Sequence, residues 1–251
     1  MAASVLILMS LISAFFFHQL NKKPEASADN IKWITKATPN GQRSVVRLKD
    51  GSVVTLNAGS SITYPEFFDK AKRQIKLKGE AFFEVSKNAA WPFVVESQGV
   101  LTTVLGTSFN IKAFDNQNTQ VTVATGKVKV ASTDIDVPQE AILRPNQQAN
   151  FRLEDELMEV KEVDIDNYLA WKTNELYFDM IPFSEVLEVL EKKYNVHIAM
   201  TNDLSSKCLV RARYKNESLE TVLKGLQLLV HFNFKIHDGN KITVEGMGCE
   251  D

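Results

Sequence analysis

The clearest alternation of apolar and polar positions runs from Arg73 to Val85. Ile75, Leu77, Ala81, Phe83 and Val85 share one face of an extended chain. Lys76, Lys78, Glu80 and Glu84 share the other, with Phe82 the one apolar residue on the polar side. Successive side chains of a strand point to opposite faces of a sheet, so this run predicts a half-buried strand. The same period recurs in short runs at residues 45–49, 52–56, 93–96, 100–105, 109–113, 121–124, 127–131 and 149–153. Asp50-Gly51, between the first two, predicts a two-residue type I′ hairpin, because both central positions tolerate positive φ. No amphipathic helix of useful length interrupts residues 31–151. Turn signals recur about every eight to twelve residues, the spacing of an all-β domain. Sandwich, roll and short solenoid all fit this pattern.

After Trp171 the period changes. Phe183, Val186, Leu187, Leu190 and Tyr194 lie at helical spacing and lead into a strand at residues 196–199. Thirty-six residues on from Phe183, Leu219 begins a second such set (Val222, Leu223, Leu226, Val230), which leads into a strand at 232–236. Strands at 176–178, 209–214 and 242–245 complete a duplicated helix–strand unit. Helices on one face of a small sheet make an α+β domain. Between the halves, residues 154–166 are acidic and predict a solvated hairpin. They lack the Asp-x-Asp-x-Asp-Gly spacing of a calcium loop.

The first twenty residues carry no Asp, Glu, Lys or Arg, and a spanning helix needs about 20 largely apolar residues. A membrane anchor at residues 1–20 is therefore expected. The competing reading is a cleaved signal peptide with Ala26-Ser27-Ala28 as its site, but no basic stretch precedes the apolar run. The only charged flank is Lys22-Lys23, which the positive-inside rule would keep in the cytoplasm.

With 251 residues the chain can bury two modest cores. A net charge of −2 gives no drive toward nucleic acid, and none is expected as a partner. Four histidines and two cysteines are a poor inventory for metal or nucleophilic chemistry. No serine has a nucleophile-elbow context and no glycine loop opens a helix. The reading therefore expects no enzyme, catalytic residue, cofactor or metal. His197 and His231 sit at the two helix-to-strand junctions and have packing or surface roles. Cys208 and Cys249 are compatible with an envelope disulfide, but Cys249 is third from the end, and the reading leaves both free.

Several phrases occur in order: Leu48-Lys-Asp-Gly-Ser-Val-Val-Thr-Leu-Asn57, Tyr64-Pro65, Gly79-Glu-Ala-Phe-Phe-Glu-Val85, Pro92-Phe93-Val94, Val104-Leu-Gly-Thr-Ser-Phe-Asn-Ile111 and Thr125-Gly-Lys-Val128. Together they resemble the FecR family, single-span envelope regulators of extracytoplasmic-function sigma factors. The likeness is close over residues 38–150, and the remainder resembles the C-terminal domain of Bacteroidetes-type members. The implied plan is a transmembrane helix (1–20), a tether (21–37), an all-β periplasmic domain (38–153), an acidic connection (154–171), an α+β domain (172–246) and a tail (247–251). The α+β domain resembles the short N-terminal signalling module of secretins and TonB-dependent transducers.

The resemblance implies an inner-membrane anti-sigma factor or sigma regulator, single pass, with its C-terminal bulk in the periplasm. That orientation runs against the Lys22-Lys23 flank. Its partners would be the periplasmic signalling domain of an outer-membrane TonB-dependent receptor, an extracytoplasmic-function sigma factor and envelope proteases. Family members normally carry a cytoplasmic helical segment ahead of the span. The expectation here is a chain lacking it, through a shortened gene model or a truncated member. An envelope adaptor without sigma control is the alternative. In some family members the bond matching Gly106-Thr107 breaks spontaneously, which makes this pair a self-cleavage candidate; the bland reading is a glycine turn. Arg211, Arg213 and Lys215 share one strand face and are the partner-binding candidates, against an ordinary solvated face.

Overall fold

The computed structural model describes residues 31–133, 138–201 and 208–249. The expected membrane helix and residues 21–30 of the expected tether lie outside them. Among the described residues no helix is long and apolar enough to cross a membrane. The first part of the chain forms β1 (Trp33–Ala37), β2 (Ser44–Arg47), β3 (Val53–Leu56), β4 (Ser61–Pro65), β5 (Arg73–Glu84), β6 (Phe93–Ser97) and β7 (Val100–Val104). It continues through β8 (Ser108–Ala113), β9 (Thr119–Thr125), β10 (Val128–Ser132), β11 (Glu140–Leu143), β12 (Gln147–Arg152) and β13 (Leu157–Glu162). Strand β1 occupies residues assigned to the tether. Neither β4 nor β11 stood out as an alternating run, since each has only four or five residues of mixed character.

The long alternating run is β5, and it belongs to two sheets. Its first half pairs with β4 and, in parallel, with β6; its second half pairs with β3 and β8. One sheet therefore runs β11-β10-β7-β6-β5-β4-β1 and the other β13-β12-β9-β8-β5-β3-β2. The crossover is at Gly79, with φ +95° and with a hypothetical Cβ only 2.5 Å from Ser60 Oγ. Only glycine fits so close an approach at positive φ. The two sheets enclose one apolar core, in which Phe83 stacks on Phe109 with ring centres 5.0 Å apart. Of the three architectures left open, the fold is a two-sheet sandwich.

The expected type I′ hairpin at Asp50-Gly51 is not formed. Gly51 N–H donates to Leu48 O (3.1 Å) and Leu48 N–H to Ser52 O (2.9 Å), and of the turn residues Gly51 alone has positive φ (+86°). This is a type I turn closed by a glycine bulge. It draws Asp50 inward, where its Oδ2 accepts from Arg73 Nη1 at 2.7 Å, with both side chains buried.

A short helix α1 (Ile165–Tyr168) and a 3₁₀ turn (Ala170–Thr173) follow. Then come β14 (Glu175–Pro182), α2 (Phe183–Tyr194), β15 (His197–Met200), β16 (Leu209–Lys215), α3 (Leu219–Gln227), β17 (His231–His237) and β18 (Lys241–Gly248). The repeat is β14-α2-β15 followed by β16-α3-β17. The expected single sheet is instead two: β14 pairs with β16, while β18 lies between β15 and β17. Both helices bury their apolar stripes in one core with Phe178, Phe232 and Val244. Ser218 caps α3 by accepting from Thr221 N–H.

The cysteines are paired, contrary to the expectation that they are free. Cys208 is bonded to Cys249 with Cα atoms 5.5 Å apart. Strand β18 extends beyond the run read from sequence, pairing as far as Gly248 with His231. This extension places Cys249 beside Cys208, the residue before β16.

Candidate functional site

Gly106 lies between β7 and β8 with φ +151°, a conformation that L side chains rarely adopt. A Cβ there would meet Lys87 Cα at 2.6 Å. On the other side of the bond, a Cβ on Gly126 would lie 3.3 Å from Gly106 O. Both turns therefore leave room for glycine and not for a side chain. Thr107 is buried, its Oγ1 donates to Lys127 O (3.0 Å), and its own carbonyl accepts from Val85 N–H (3.0 Å). A hydroxyl whose proton points to a carbonyl oxygen presents its lone pairs elsewhere, but a carbonyl is not a general base.

Arg211, Arg213 and Lys215 lie on one face of β16, as the sequence implies, and all three are exposed. None stands alone. Arg211 Nε meets Asp179 Oδ1 at 2.9 Å, and Glu175 takes Arg213 Nε at 3.1 Å and Lys215 Nζ at 3.2 Å. The Lys215 hydrogen bond, aided by Arg213, holds the Glu175 carboxyl below its ordinary range. The face is a cross-strand ladder of alternating sign between β14 and β16 rather than a purely basic stripe. His197, at the first junction, is exposed and has Nδ1 3.1 Å from Glu191 Oε1.

A site missed by the sequence lies on the outer face of the β13–β2 sheet. Register places Phe82, Asn110, Thr122 and Gln148 in one row across β5, β8, β9 and β12. Glu80, Lys112, Gln120 and Asn150 form the next. Outward positions of a sandwich are normally wet, yet Phe82, Asn110, Thr122 and Gln148 are all at most 5% exposed. Residues 163–174 cover them, with α1 packed against β9. Trp171 Nε1 donates to Asn110 Oδ1 (3.3 Å), and the Lys172 ammonium lies 3.6 Å from the centre of the Phe82 ring. Arg43, in the turn before β2, donates from Nη1 to Trp171 O (2.7 Å) and Lys172 O (2.5 Å).

Glu80 accepts from Asn57 Nδ2 (2.8 Å) and Asn110 Nδ2 (3.0 Å). Burial raises its pKa, against the opposing pull of Lys112 and the two amide donors. Tyr168 is raised by burial and by nearby Asp179. Gln117 Oε1, Gln148 Oε1 and Asn150 Oδ1 are buried and have no hydrogen-bond partner within the protein. A cleft of about 420 Å³ runs between this face and β14, lined among others by Glu80, Lys112, Trp171 and Tyr177. The one sequence signal for the site was Phe82, apolar on the polar face of β5.

Residues 35–129 match the family described as FecR protein, and residues 175–244 match the one described as FecR, C-terminal. The chain is also similar to two crystal structures, at 2.50 Å and 1.65 Å, of a protein from Parabacteroides distasonis ATCC 8503 provisionally described as an anti-sigma factor. The TM-scores are 0.80 and 0.79, with 31% identity in each case. Each match covers 86% of this chain and 100% of that one. No protein of curated function matches the chain.

Proposed function

This chain belongs to the FecR family, and from that membership we propose that it regulates an extracytoplasmic-function sigma factor through protein–protein contacts. The observation that carries the reading is the likeness, over the whole length of its counterpart, to a protein described as an anti-sigma factor. The two family matches support it, falling in order on the sandwich and on the repeated α+β unit. In this reading the α+β unit receives the periplasmic signalling domain of an outer-membrane TonB-dependent receptor. The sandwich passes the signal toward an inner-membrane anchor formed by residues 1–20. Arg211, Arg213 and Lys215, with Glu175 and Asp179 between them, offer a charged ladder able to select a partner of complementary pattern.

The same reading takes Gly106-Thr107 as a self-cleavage site. Thr107 Oγ attacks the Gly106 carbonyl carbon, the C–N bond breaks, and the hydroxyl proton passes to the freed Thr107 amine. Water then hydrolyses the resulting ester to a Gly106 carboxylate and the Thr107 hydroxyl. The positive φ of Gly106 and the nearness of Lys87 admit only glycine before Thr107, as this reading requires.

Transcript profiling of a strain deleted for this gene tests the regulatory reading. A discrete set of promoters should change expression and return on complementation with the full chain, but not with a chain lacking residues 175–248. An unchanged transcript profile would sink it.

A further inference from the structure

We propose that the covered outer face of the β13–β2 sheet and the residues 163–174 lying on it form a separable clamp. In its open state the α+β unit moves off the sandwich and the polar rows become wet. The inference concerns how the two units move, and it stands whether or not the chain regulates a sigma factor.

The two apolar cores are separate clusters, one inside the sandwich and one between the helices and the small sheets. What joins the units is of another kind. Gly41 N–H donates to Lys192 O at 2.7 Å, Gln117 Nε2 to Glu188 Oε2 at 2.6 Å, and Arg43 to the two carbonyls of the 3₁₀ turn. Lys172 lies over Phe82 and Lys192 over Phe114. Water can replace every one of these hydrogen bonds. Opening would wet Asn110, Thr122 and Gln148, all of which water solvates well, while both cores stay closed. Gln117 Oε1, Gln148 Oε1 and Asn150 Oδ1, which have no partner within the protein, would be open to bulk water. Against this, opening uncovers Phe82 and Phe114, and these two rings under their lysines hold the clamp shut. Polar interfaces of this kind between domains permit relative motion by default.

Pulsed electron–electron resonance on the full chain tests the clamp. Spin labels go on cysteines placed at exposed Val45 on the sandwich and exposed Leu228 on the α+β unit, with the native disulfide left oxidised. The expected result is a second, longer distance whose population grows at least threefold with Arg43→Gln. Amide exchange at Ile111 and Leu190 should stay unchanged, showing that both cores remain folded. If Arg43→Gln disturbs either core, Lys172→Gln replaces it with the same expectation. One narrow distance, the same in the parent and in the variant that keeps both cores, overturns the proposal.

Discussion

The Lys172 ammonium sits 3.6 Å from the centre of the Phe82 ring, and this pair accounts for the one break in the alternation of β5. Phe82 points outward, as its even position requires, and is nonetheless only 5% exposed because the 3₁₀ turn lies on it. Phe82→Ala removes a buried ring and should lower stability by about 3 kcal/mol. Lys172→Ala removes the cation alone and should cost about 0.5–2 kcal/mol. Urea denaturation of the two variants checks the ranking; equal losses would mean that the lysine, not the ring, carries the contact.

How far the sequence could reach is visible in this same pair. The period of β5 is a local signal, and it identified the strand and its buried face. The cover over Phe82 comes from a residue far along the chain, and no window of periodicity spans that separation. Gly79 shows the same limit: a glycine within a strand is legible, but its role as the crossover between sheets depends on Ser60 arriving from β4's side. In the C-terminal unit the duplication is legible, since helix spacing is local. Its division into two sheets is not, because strand partners are fixed by long-range register. The disulfide is hidden for a related reason: the alternation of the last strand ends before Gly246, and the further pairing of that strand is what positions Cys249.

Glu80 gives a pH signature. Burial raises its folded pKa above the ordinary 4.5. The folded state then binds the proton more tightly than the unfolded one. Its contribution is full below the unfolded value and is lost as pH rises through the folded value. Glu175 has the opposite shift, so its contribution is present above 4.5 and is lost as pH falls through its lowered folded value. The two windows therefore lie on opposite sides of 4.5. Denaturation midpoints followed upward from that pH should decline less steeply in Glu80→Gln than in the parent. Parallel profiles would show that Glu80 titrates as if unfolded.

The buried pair Asp50–Arg73 should be among the most costly to break. Arg73 also donates to Ser86 O (2.9 Å) and Trp91 O (3.0 Å), so it ties the β2–β3 turn to both ends of the 85–92 loop. Asp50→Ala leaves the guanidinium buried without its carboxylate and should cost about 3–5 kcal/mol. The double change Asp50→Ala with Arg73→Met removes both charges and should regain part of that loss. A double variant no more stable than Asp50→Ala would show that the two carbonyl contacts, rather than the stranded charge, dominate.

The disulfide closes a loop with a sequence separation of 41. Cross-linking a loop of that length stabilises by about 4 kcal/mol in the chain-entropy account. Reduction, or Cys249→Ser, should weaken the core around Val222 and Phe232 and leave the sandwich core around Phe83 and Phe109 nearly unchanged. Amide exchange separates the two: faster exchange at Val222 with constant protection at Ile111 is expected. Equal acceleration at both sites would mean that the units unfold as one.

The Gly106–Thr107 bond can be tested through each partner separately. Gly106→Ala puts a Cβ against Lys87 Cα at a φ that alanine resists, so it should destabilise the β7–β8 turn whether or not the bond breaks. That variant alone cannot distinguish cleavage from structure. Thr107→Val keeps the shape, deletes the hydroxyl and loses one hydrogen bond to Lys127 O, at about 1 kcal/mol. It should abolish any fragment ending at Gly106, whereas Thr107→Ser, which keeps the nucleophile, should retain it. Intact-mass spectrometry of the denatured protein reads this directly, because strand pairing across β7 and β8 to their neighbours would hold the two pieces together under native conditions. A single intact mass for the parent, Thr107→Ser and Thr107→Val alike would leave Gly106 as a packing glycine and Thr107 as the donor that seals its turn.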